Sequence, residues 1–530
     1  MMFENSGKLT RFMLKRERVM SALWLVCLVA FSAALAPAMY GMFDDFGRQA
    51  FAMTMENPAM IVMMGPVIGA DNFTTGAMYS TTMLIWVLIT IAIMNIFLIA
   101  RHTRADEEKG RAEVVRSLPV GRLSILNAAM TTAFVVNAAL AVLTGLAITA
   151  MRVPSMGFGG SMLYGAALGV TGLFFAAVTA LFCQLSSSSR GAVSLSGLAL
   201  AVFYIMRAAG DLGNETLSLL SPLGLVQRAR IYAESHWWPV LVVLLAAVVI
   251  TAVAYLLNRA RDLGEGYIPA RAGRREAKPS LLSPTGFALR LLRNSIIAWF
   301  IAMFLLGASY GSILGDIEEF VAGNEFYAMI IGVTGDFTVA QMFSAMVNSM
   351  AALTCVVPLL GCVLKLRTEE REGRAEHILT RSVSRVKYLA GFAVPAIAAS
   401  ALFQLTTAFG LYLSAFAVLD EPIPLAFLLE ANLVYLPALW VMLGAAILLI
   451  GILPRASGIV WAYFAFSFFT EFMGRILPLP GWLLRLSPFG FIPQLPADTV
   501  RYGVLLMLTG VAAVLTAVGF VFYRRRDVAQ

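Results

Sequence analysis

The sequence predicts an all-α polytopic membrane protein with about 12 transmembrane helices. Of its 530 residues, 59% are hydrophobic and only 13% are charged, whereas a soluble domain carries about 25% charged residues. Residues 82–100 and 239–258 contain no charged side chain, and crossing a bilayer takes roughly 20 apolar residues. Such runs are expected to be helical, because the hydrocarbon core offers their backbone groups no other hydrogen-bond partner.

The apolar runs place the individual spans along the whole chain. The predicted spans are about 20–40, 78–100, 123–150, 161–185, 192–209, 237–258, 295–314, 339–364, 388–418, 425–452, 457–475 and 500–523. Residues 1–18 are basic and precede the first of them. They predict an amphipathic helix on the membrane surface, followed by an uncleaved first span.

The basic residues fix the orientation of the chain. If both termini are cytoplasmic, the cytoplasmic segments hold 31 of the 39 Lys and Arg residues. Basic residues concentrate on the cytoplasmic side of membrane proteins, so both termini are predicted to be cytoplasmic. The net charge of +8 is then a topology signal with some contact to membrane lipid, and we predict no nucleic-acid partner.

The sequence contains an internal duplication. At an offset of 263, residues 104–122 and 367–385 are identical at eight of nineteen positions. A second match joins Leu-Ser-Pro-Leu-Gly at 220–224 to Leu-Ser-Pro-Phe-Gly at 486–490. A weaker third match joins Arg261-Asp262 to Arg526-Asp527.

The duplication predicts two parallel six-helix repeats, related by an axis along the membrane normal. The first half is residues 1–258, with the N-terminal surface helix. A cytoplasmic linker follows at 259–293, rich in Gly and Pro, and the second half is 294–530. A transport pathway at the pseudo-symmetric interface is the natural inference.

Sequence features of enzymes and metal sites were not found. The chain has no Gly-x-x-x-x-Gly-Lys-Ser/Thr phosphate loop. Its four cysteines all lie in apolar stretches and its three histidines are scattered, which does not indicate a disulfide framework or a zinc site. We therefore predict no catalytic, cofactor-binding or metal-binding residues in this chain.

The charged loops after the second span of each half share the core Glu-x-x-Gly-Arg-Ala-Glu. If the stretch is helical, Glu107 can pair with Arg111, and Glu370 with Arg374, four residues apart. Val114, Val115 and Leu118 could form an apolar edge behind the charges. A plain topology anchor is the simpler interpretation of one such loop. Two copies that retain the same glycine and both glutamates favour a docking element.

Two further ionisable pairs lie at the ends of predicted spans. Arg207 and Asp211, and likewise Glu471 and Arg475, are four residues apart and are expected to pair. Ionisable groups in spans are candidates for a transport pathway. A role in holding the outer ends of the helices is favoured over substrate contact.

The motifs and their order resemble the permeases of type 2 ABC exporters, specifically the duplicated branch called exporters of polyketide antibiotics. The resemblance rests on the two Glu-rich loops, 107–113 and 370–376, the two Leu-Ser-Pro-x-Gly elements and the linker 259–266. The layout of the loops agrees as well, and the likeness covers essentially the whole chain. The second loop departs from the double-Glu pattern, with Arg371 where the first has Glu108.

The resemblance implies that each Glu-rich loop is a coupling helix on a separate ATPase subunit. The coupling residues would be Glu107, Glu108, Gly110, Arg111, Glu113, Glu370, Gly373, Arg374 and Glu376. The partners would be two copies of an ABC ATPase, which would bind ATP and Mg. It also implies that the tight loops 186–190 and 454–457 make second, smaller contacts with the ATPase. Short helices are implied at 210–236 and 476–499. A hydrophobic or amphipathic compound, such as an antibiotic, drug or lipid, would be exported across a prokaryotic plasma membrane.

Two alternatives remain open at this stage. An ion-coupled secondary transporter of the major facilitator kind also has six plus six helices and a charged loop after the second span. Such a transporter needs buried carboxylates or histidines on its pathway, and predicted spans two, three and six contain none. The other alternative is a non-transporting membrane scaffold or sensor, which the duplication argues against.

Overall fold

The structure is a computed structural model. It describes residues 2–43, 45–268, 276–315, 317, 338–381, 383–419, 423–474, 480–496 and 498–526. Regular structure in this part of the chain is helical, apart from a single parallel bridge between Ser186 and Ile268. The predicted all-α class is confirmed.

The first of two compact units comprises residues 1–273. Its helices are α1 (Ser6–Met42), α2 (Asp45–Met55), α3 (Pro58–Met64), α4 (Thr75–His102), α5 (Arg104–Glu108), α6 (Arg111–Arg116), α7 (Ser124–Ala150), α8 (Phe158–Leu185), α9 (Ser189–Gly213), α10 (Glu215–Leu220), α11 (Pro222–Gln227) and α12 (Trp238–Ala260). Most of the apolar part of α4 and α8 is buried, whereas α1 and α12 are largely exposed. The second and fourth spans therefore form the core of this unit.

The second unit comprises residues 274–530. Its helices are α13 (Pro284–Ser312), α14 (Val339–Arg371), α15 (Arg374–Leu379), α16 (Arg385–Val418), α17 (Leu425–Leu433), α18 (Leu436–Ile452), α19 (Ile459–Met473), α20 (Gly481–Leu484) and α21 (Tyr502–Arg525). The most buried apolar segments belong to α14 and to the pair α17–α18, again the second and fourth spans. The two units thus bury corresponding helices.

The described residues include eleven helices that are long and apolar enough to cross a membrane, which agrees with the predicted multi-pass chain. The predicted span at 457–475 corresponds to α19, which has 15 residues. At about 1.5 Å per residue α19 extends about 22 Å, less than the roughly 30 Å of a hydrocarbon core. The fourth span of the second half is divided between α17 and α18, with Pro437 just after the break.

The basic N-terminal segment does not form a separate surface helix. It is continuous with the first span in α1, a helix of 37 residues. Residues 8–36 contain neither Gly nor Pro, so nothing in the sequence interrupts the helix where the charged part meets the apolar part. The expectation of a surface helix that is separate from the first span was therefore wrong.

The same local packing explains the glycine in both Leu-Ser-Pro-x-Gly elements. A Cβ atom on Gly224 would lie 2.4 Å from the carbonyl oxygen of Ser218, and one on Gly490 would lie 2.3 Å from that of Leu484. In both elements the glycine packs against the carbonyl six residues earlier, where no side chain fits. The proline occupies the first position of α11 in the first half and of the 3-10 helix Pro488–Phe491 in the second, as its fixed φ favours.

Short helices occur in both segments between the fifth and sixth spans, where the resemblance implied them. Residues 210–236 contain α10 and α11, and residues 476–499 contain α20 and Pro488–Phe491. Residues 475–479 and 497 of the second segment lie outside the described part of the chain.

Candidate functional site

The two charged loops, residues 101–122 (the first charged loop) and residues 365–387 (the second charged loop), have the same backbone form. A helix ends at Glu108 or Arg371, a left-handed glycine follows, and a six-residue helix, α6 or α15, begins. Gly110 has a φ of 68° and Gly373 a φ of 71°, a conformation that costs other residues free energy. The shared glycine is therefore retained because it turns the chain into the short helix.

The first charged loop rests on a buried cluster that we call the first clamp (Arg104, Glu107 and Arg261). The two carboxylate oxygens of Glu107 lie 2.6 Å from Arg104 Nη1 and 2.6 Å from Arg261 Nη2. The side chains of Arg104 and Arg261 are buried. Two cations around one carboxylate are an arrangement that can stabilise charges away from water.

Arg104 also binds the segments that follow the fourth and sixth spans of its half. Its Nη2 donates to the carbonyls of Ser187 at 2.7 Å and Gly264 at 2.6 Å, and its Nη1 donates to that of Glu265 at 2.8 Å. The loop after the second span, the tight loop after the fourth and the segment after the sixth therefore meet at a single guanidinium.

The second charged loop has a matching cluster, the second clamp (Arg367, Glu370 and Arg526). Glu370 is buried and lies 3.2 Å from Arg367 Nη1, it binds Arg526, and it accepts a hydrogen bond from the Tyr523 hydroxyl at 2.9 Å. Arg367 Nε donates to the carbonyl of Pro454 at 3.1 Å. The three corresponding segments thus meet in the second half.

A further matched contact closes each clamp. Arg122 Nη2 donates to the Arg261 carbonyl at 3.0 Å, and its counterpart Arg385 donates to the Arg526 carbonyl. The last arginine of each charged loop thus binds the backbone of the arginine that follows the sixth span. The arginines of the third sequence match, Arg261 and Arg526, therefore occupy equivalent places.

The predicted pairing four residues apart was wrong. Arg111 lies 3.1 Å from Asp106 rather than bonding to Glu107, and Arg374 Nη2 lies 2.7 Å from Glu369 rather than bonding to Glu370. The left-handed glycine ends the helix between the partners, so residues four apart no longer share a face. The pKa of Arg374 is raised, chiefly because its guanidinium donates to the Glu369 carboxylate.

The predicted coupling carboxylates separate into two groups. Glu107 and Glu370 are held inside the clamps, whereas Glu113 and Glu376 on α6 and α15 are exposed. Neither exposed carboxylate has a hydrogen-bond or ion-pair partner among the described residues. The alanines that precede them, Ala112 and Ala375, are buried, so each short helix packs on its alanine and presents its glutamate outward.

The remaining contacts of the charged loops differ between the halves. Glu108 accepts a hydrogen bond from the Ser189 backbone N–H at 2.9 Å, whereas its counterpart Arg371 is exposed. Val114 on α6 and Leu118, two residues after its end, are also exposed. The apolar side chains that were predicted to lie behind the charges are therefore on the exposed surface of this segment.

The first charged loop is also tied to α1. Arg16 makes two hydrogen bonds with Asp106, at 2.6 and 3.1 Å. Glu17 accepts from Arg101 at 2.9 Å, and its carboxylate lies 3.1 Å from His102 Nε2. In the second charged loop, the residue that corresponds to Asp106 is Glu369, which pairs with Lys365 of its own helix at 3.0 Å.

The pair Arg207–Asp211 forms as predicted, with 3.4 Å between Nη1 and Oδ2, and both side chains are buried. Arg207 also donates to the carbonyls of Ile61 at 3.3 Å and Val62 at 2.5 Å, in the last turn of α3. A cation at a helix C-terminus stabilises the exposed carbonyls. The geometry is that of a side chain that holds helix ends.

The pair Glu471–Arg475 stays a prediction, because Arg475 lies outside the described residues. Glu471 accepts a hydrogen bond from Gln494 at 3.4 Å. This contact links α19 to the segment that follows it.

Sequence reasoning missed the partners that bury Glu107 and Glu370. Arg104 and Arg367 were visible as identical positions of the repeat, and Arg261 and Arg526 as the weak third match. Arg261 and Arg526 share one signal, which is that an arginine recurs at the same place after the sixth span of both halves. A residue that only anchors the topology could be either lysine or arginine, so a retained arginine indicates a more specific role. Arg16 and Tyr523 gave no comparable signal.

One protein-family model, described as the C-terminal domain of the multidrug efflux system permease Rv1217c, matches residues 10–259 and residues 281–524. The chain is also 33% identical, over 537 residues, to the multidrug efflux system permease protein Rv1217c of Mycobacterium tuberculosis (strain ATCC 25618 / H37Rv). That likeness covers 99% of this chain and 96% of the mycobacterial protein. Each half of the chain contains one of the two matched segments.

Proposed function

We propose that this chain, which belongs to the family of multidrug efflux system permeases, is the membrane-spanning subunit of an ATP-driven exporter of the type 2 ABC class. Its family membership makes it a multi-pass efflux permease of a prokaryotic membrane. The proposal adds the energy source, which a separate ATPase would supply by binding ATP and Mg. It does not favour an ion-coupled transporter of the major facilitator kind.

The observation that carries the proposal is the repeated pairing of a buried clamp with an exposed short helix. In each half, the clamp joins the charged loop to the segments after the fourth and sixth spans. The short helix next to it presents an exposed carboxylate, Glu113 or Glu376, that has no partner among the described residues. A force applied to α6 or α15 would thus reach three segments of its half together, as a coupling element requires.

Two such helices in one chain support a complex with two copies of the ATPase subunit. Nucleotide-driven closure of the ATPases would move the two halves and open the pathway alternately to either side. The cargo would be a hydrophobic or amphipathic compound, in keeping with the multidrug name of the mycobacterial relative.

The stoichiometry is the first test. The permease should co-purify with a soluble ATPase, and the mass of the complex should correspond to one permease and two ATPases. A permease that transports drugs in proteoliposomes driven by an ion gradient, with no ATPase present, would contradict the proposal.

The second test uses the exposed carboxylates. Glu113→Gln and Glu376→Gln should lower drug transport and weaken substrate stimulation of ATP hydrolysis, because each removes a charge-assisted hydrogen bond worth about 1.5–3 kcal/mol at the docked surface. We expect the first-half change to be the more damaging, since Glu108 is replaced by Arg371 in the second. Glu276→Gln, in the exposed part of the linker, is the matched control. Wild-type transport by the Glu113→Gln/Glu376→Gln double variant would rule out the docking role.

A further inference from the structure

One face of α1 carries four exposed cations that the charged loops do not use. Lys8, Arg11, Lys15 and Arg18 are separated by three, four and three residues. At about 100° per residue this spacing places them within about 80° of one another around the helix. All four side chains are exposed. We call them the basic face of α1.

The basic face differs from the rest of the cytoplasmic end of α1. Its neighbours Arg16 and Glu17 point elsewhere and pair with Asp106 and Arg101. No cation of the basic face has a hydrogen-bond or ion-pair partner among the described residues. The charges that serve the fold are thus separated from those that do not.

The same side of the helix becomes apolar immediately after Arg18. Val19, Ala22 and Val26 lie in line with the basic face and are exposed, with 73% of Val19 and 66% of Val26 accessible. Because α1 is continuous, cations and apolar side chains form one uninterrupted strip. The change falls at the start of the predicted first span.

We propose that this strip binds an anionic phospholipid of the cytoplasmic leaflet. Arg18 and Lys15, one turn apart at the boundary, would contact the phosphate, and the acyl chains would lie along Val19, Ala22 and Val26. Lys8 and Arg11 lie about 10–15 Å from Arg18 along the helix axis, further from the apolar part. They would act through electrostatic attraction to the anionic membrane surface. The apolar continuation favours a lipid over an acidic protein or a nucleic acid, neither of which covers exposed valines inside a bilayer.

The proposal goes beyond the docking of an ATPase and does not depend on it. It does depend on the predicted orientation, which places the N-terminus in the cytoplasm. A basic residue near an anionic surface contributes about 1 kcal/mol, or a factor of about five in affinity. Losing the two boundary cations should therefore weaken lipid binding at least about fivefold.

The test measures lipid contact at α1 in the full-length permease. Phosphatidylcholine vesicles containing a trace of photoactivatable phosphatidylglycerol are irradiated, and the adducts on residues 19–42 are quantified by mass spectrometry. The same measurement with photoactivatable phosphatidylcholine gives the reference. Wild type should favour the anionic probe, and Lys15→Gln/Arg18→Gln should lose that preference at least about fivefold with an unchanged phosphatidylcholine yield.

The matched control is Arg259→Gln/Lys387→Gln, which removes two exposed cations from the cytoplasmic ends of α12 and α16 and should keep the preference at α1. Salt tests the idea without any variant, since raising it from 0.15 M to 1 M shortens the screening length from about 8 Å to about 3 Å. Wild type should then lose most of the preference.

Equal adduct yields from the two probes on wild-type α1 would overturn the proposal. An equal loss in the control variant would also overturn it, because the preference would then follow net charge and not this face. Loss of ATPase co-purification with unchanged lipid adducts would identify the basic face as a protein-docking surface instead.

Discussion

The two charged loops share a buried clamp but differ in what lies beside it. Both clamps place one glutamate between two arginines and reach the segments after the fourth and sixth spans. The first charged loop is additionally tied to α1 through Arg16 and Asp106, whereas Glu369 pairs within its own helix. The duplication has therefore retained the contacts that join three segments, whereas the bond from Asp106 to the first span is replaced by a pairing of Glu369 within its own helix.

The largest expected effect comes from removing the negative charge of the buried glutamate in a clamp. Glu107→Gln or Glu370→Gln would leave two buried arginines without their counter-charge, and breaking a buried ion pair costs about 3–5 kcal/mol. Both variants should express poorly and melt at clearly lower temperature in detergent, to a similar extent. The exposed Glu276→Gln is the control. A normal melting temperature for either clamp variant would show that the clamps do not stabilise their halves.

A smaller effect, confined to the first half, is expected from the tie to α1. Arg16→Gln removes two charge-assisted hydrogen bonds from a partly buried aspartate, at a cost of about 1.5–3 kcal/mol. In the second half, Lys365→Gln removes one partner of Glu369, the residue that corresponds to Asp106. Glu369 keeps Arg374, so this change should cost less than about 1 kcal/mol. Thermal unfolding of the two purified variants compares them directly. An equal loss of stability in the two variants would mean that Asp106 and Glu369 are held equally strongly in the two halves.

The glycines of the charged loops should respond equally. Gly110→Ala and Gly373→Ala introduce a Cβ atom into open space, so the cost is only that of a left-handed alanine, about 1–2 kcal/mol. Melting temperatures should fall by the same small amount in both variants. A much larger loss in one half would show that its short helix is more tightly constrained than the backbone indicates.

The smallest stability effect is expected at the exposed carboxylates. Glu113→Gln and Glu376→Gln alter surface residues without partners among the described residues, and such changes usually stay within about 0.5 kcal/mol. Their melting temperatures should match the wild type while transport falls. Destabilisation of either variant would place these glutamates with Glu107 and Glu370, as structural residues.

The sequence by itself determined the membrane class, the positions of the spans and the duplication. These features depend on local properties, since a run of about 20 apolar residues is forced into a helix by the absence of water. The retained Gly110 and Gly373 could be recognised for a similar reason, because a left-handed turn requires glycine wherever the chain leads afterwards. The division of the chain into two halves followed from identical residues at a constant offset.

Only the tertiary structure decided which charges are buried. Glu107 and Glu113 are alike in sequence, yet one lies between Arg104 and Arg261 while the other faces outward. The deciding partner of Glu107 is 154 residues away along the chain, and no local pattern reports a distance in space. The pairing of Arg111 with Asp106 was missed because a helical rule was applied across a glycine that ends the helix. The role of a charge in this protein depends on what the fold brings next to it, because a carboxylate is stable inside a protein only beside the cations that compensate it.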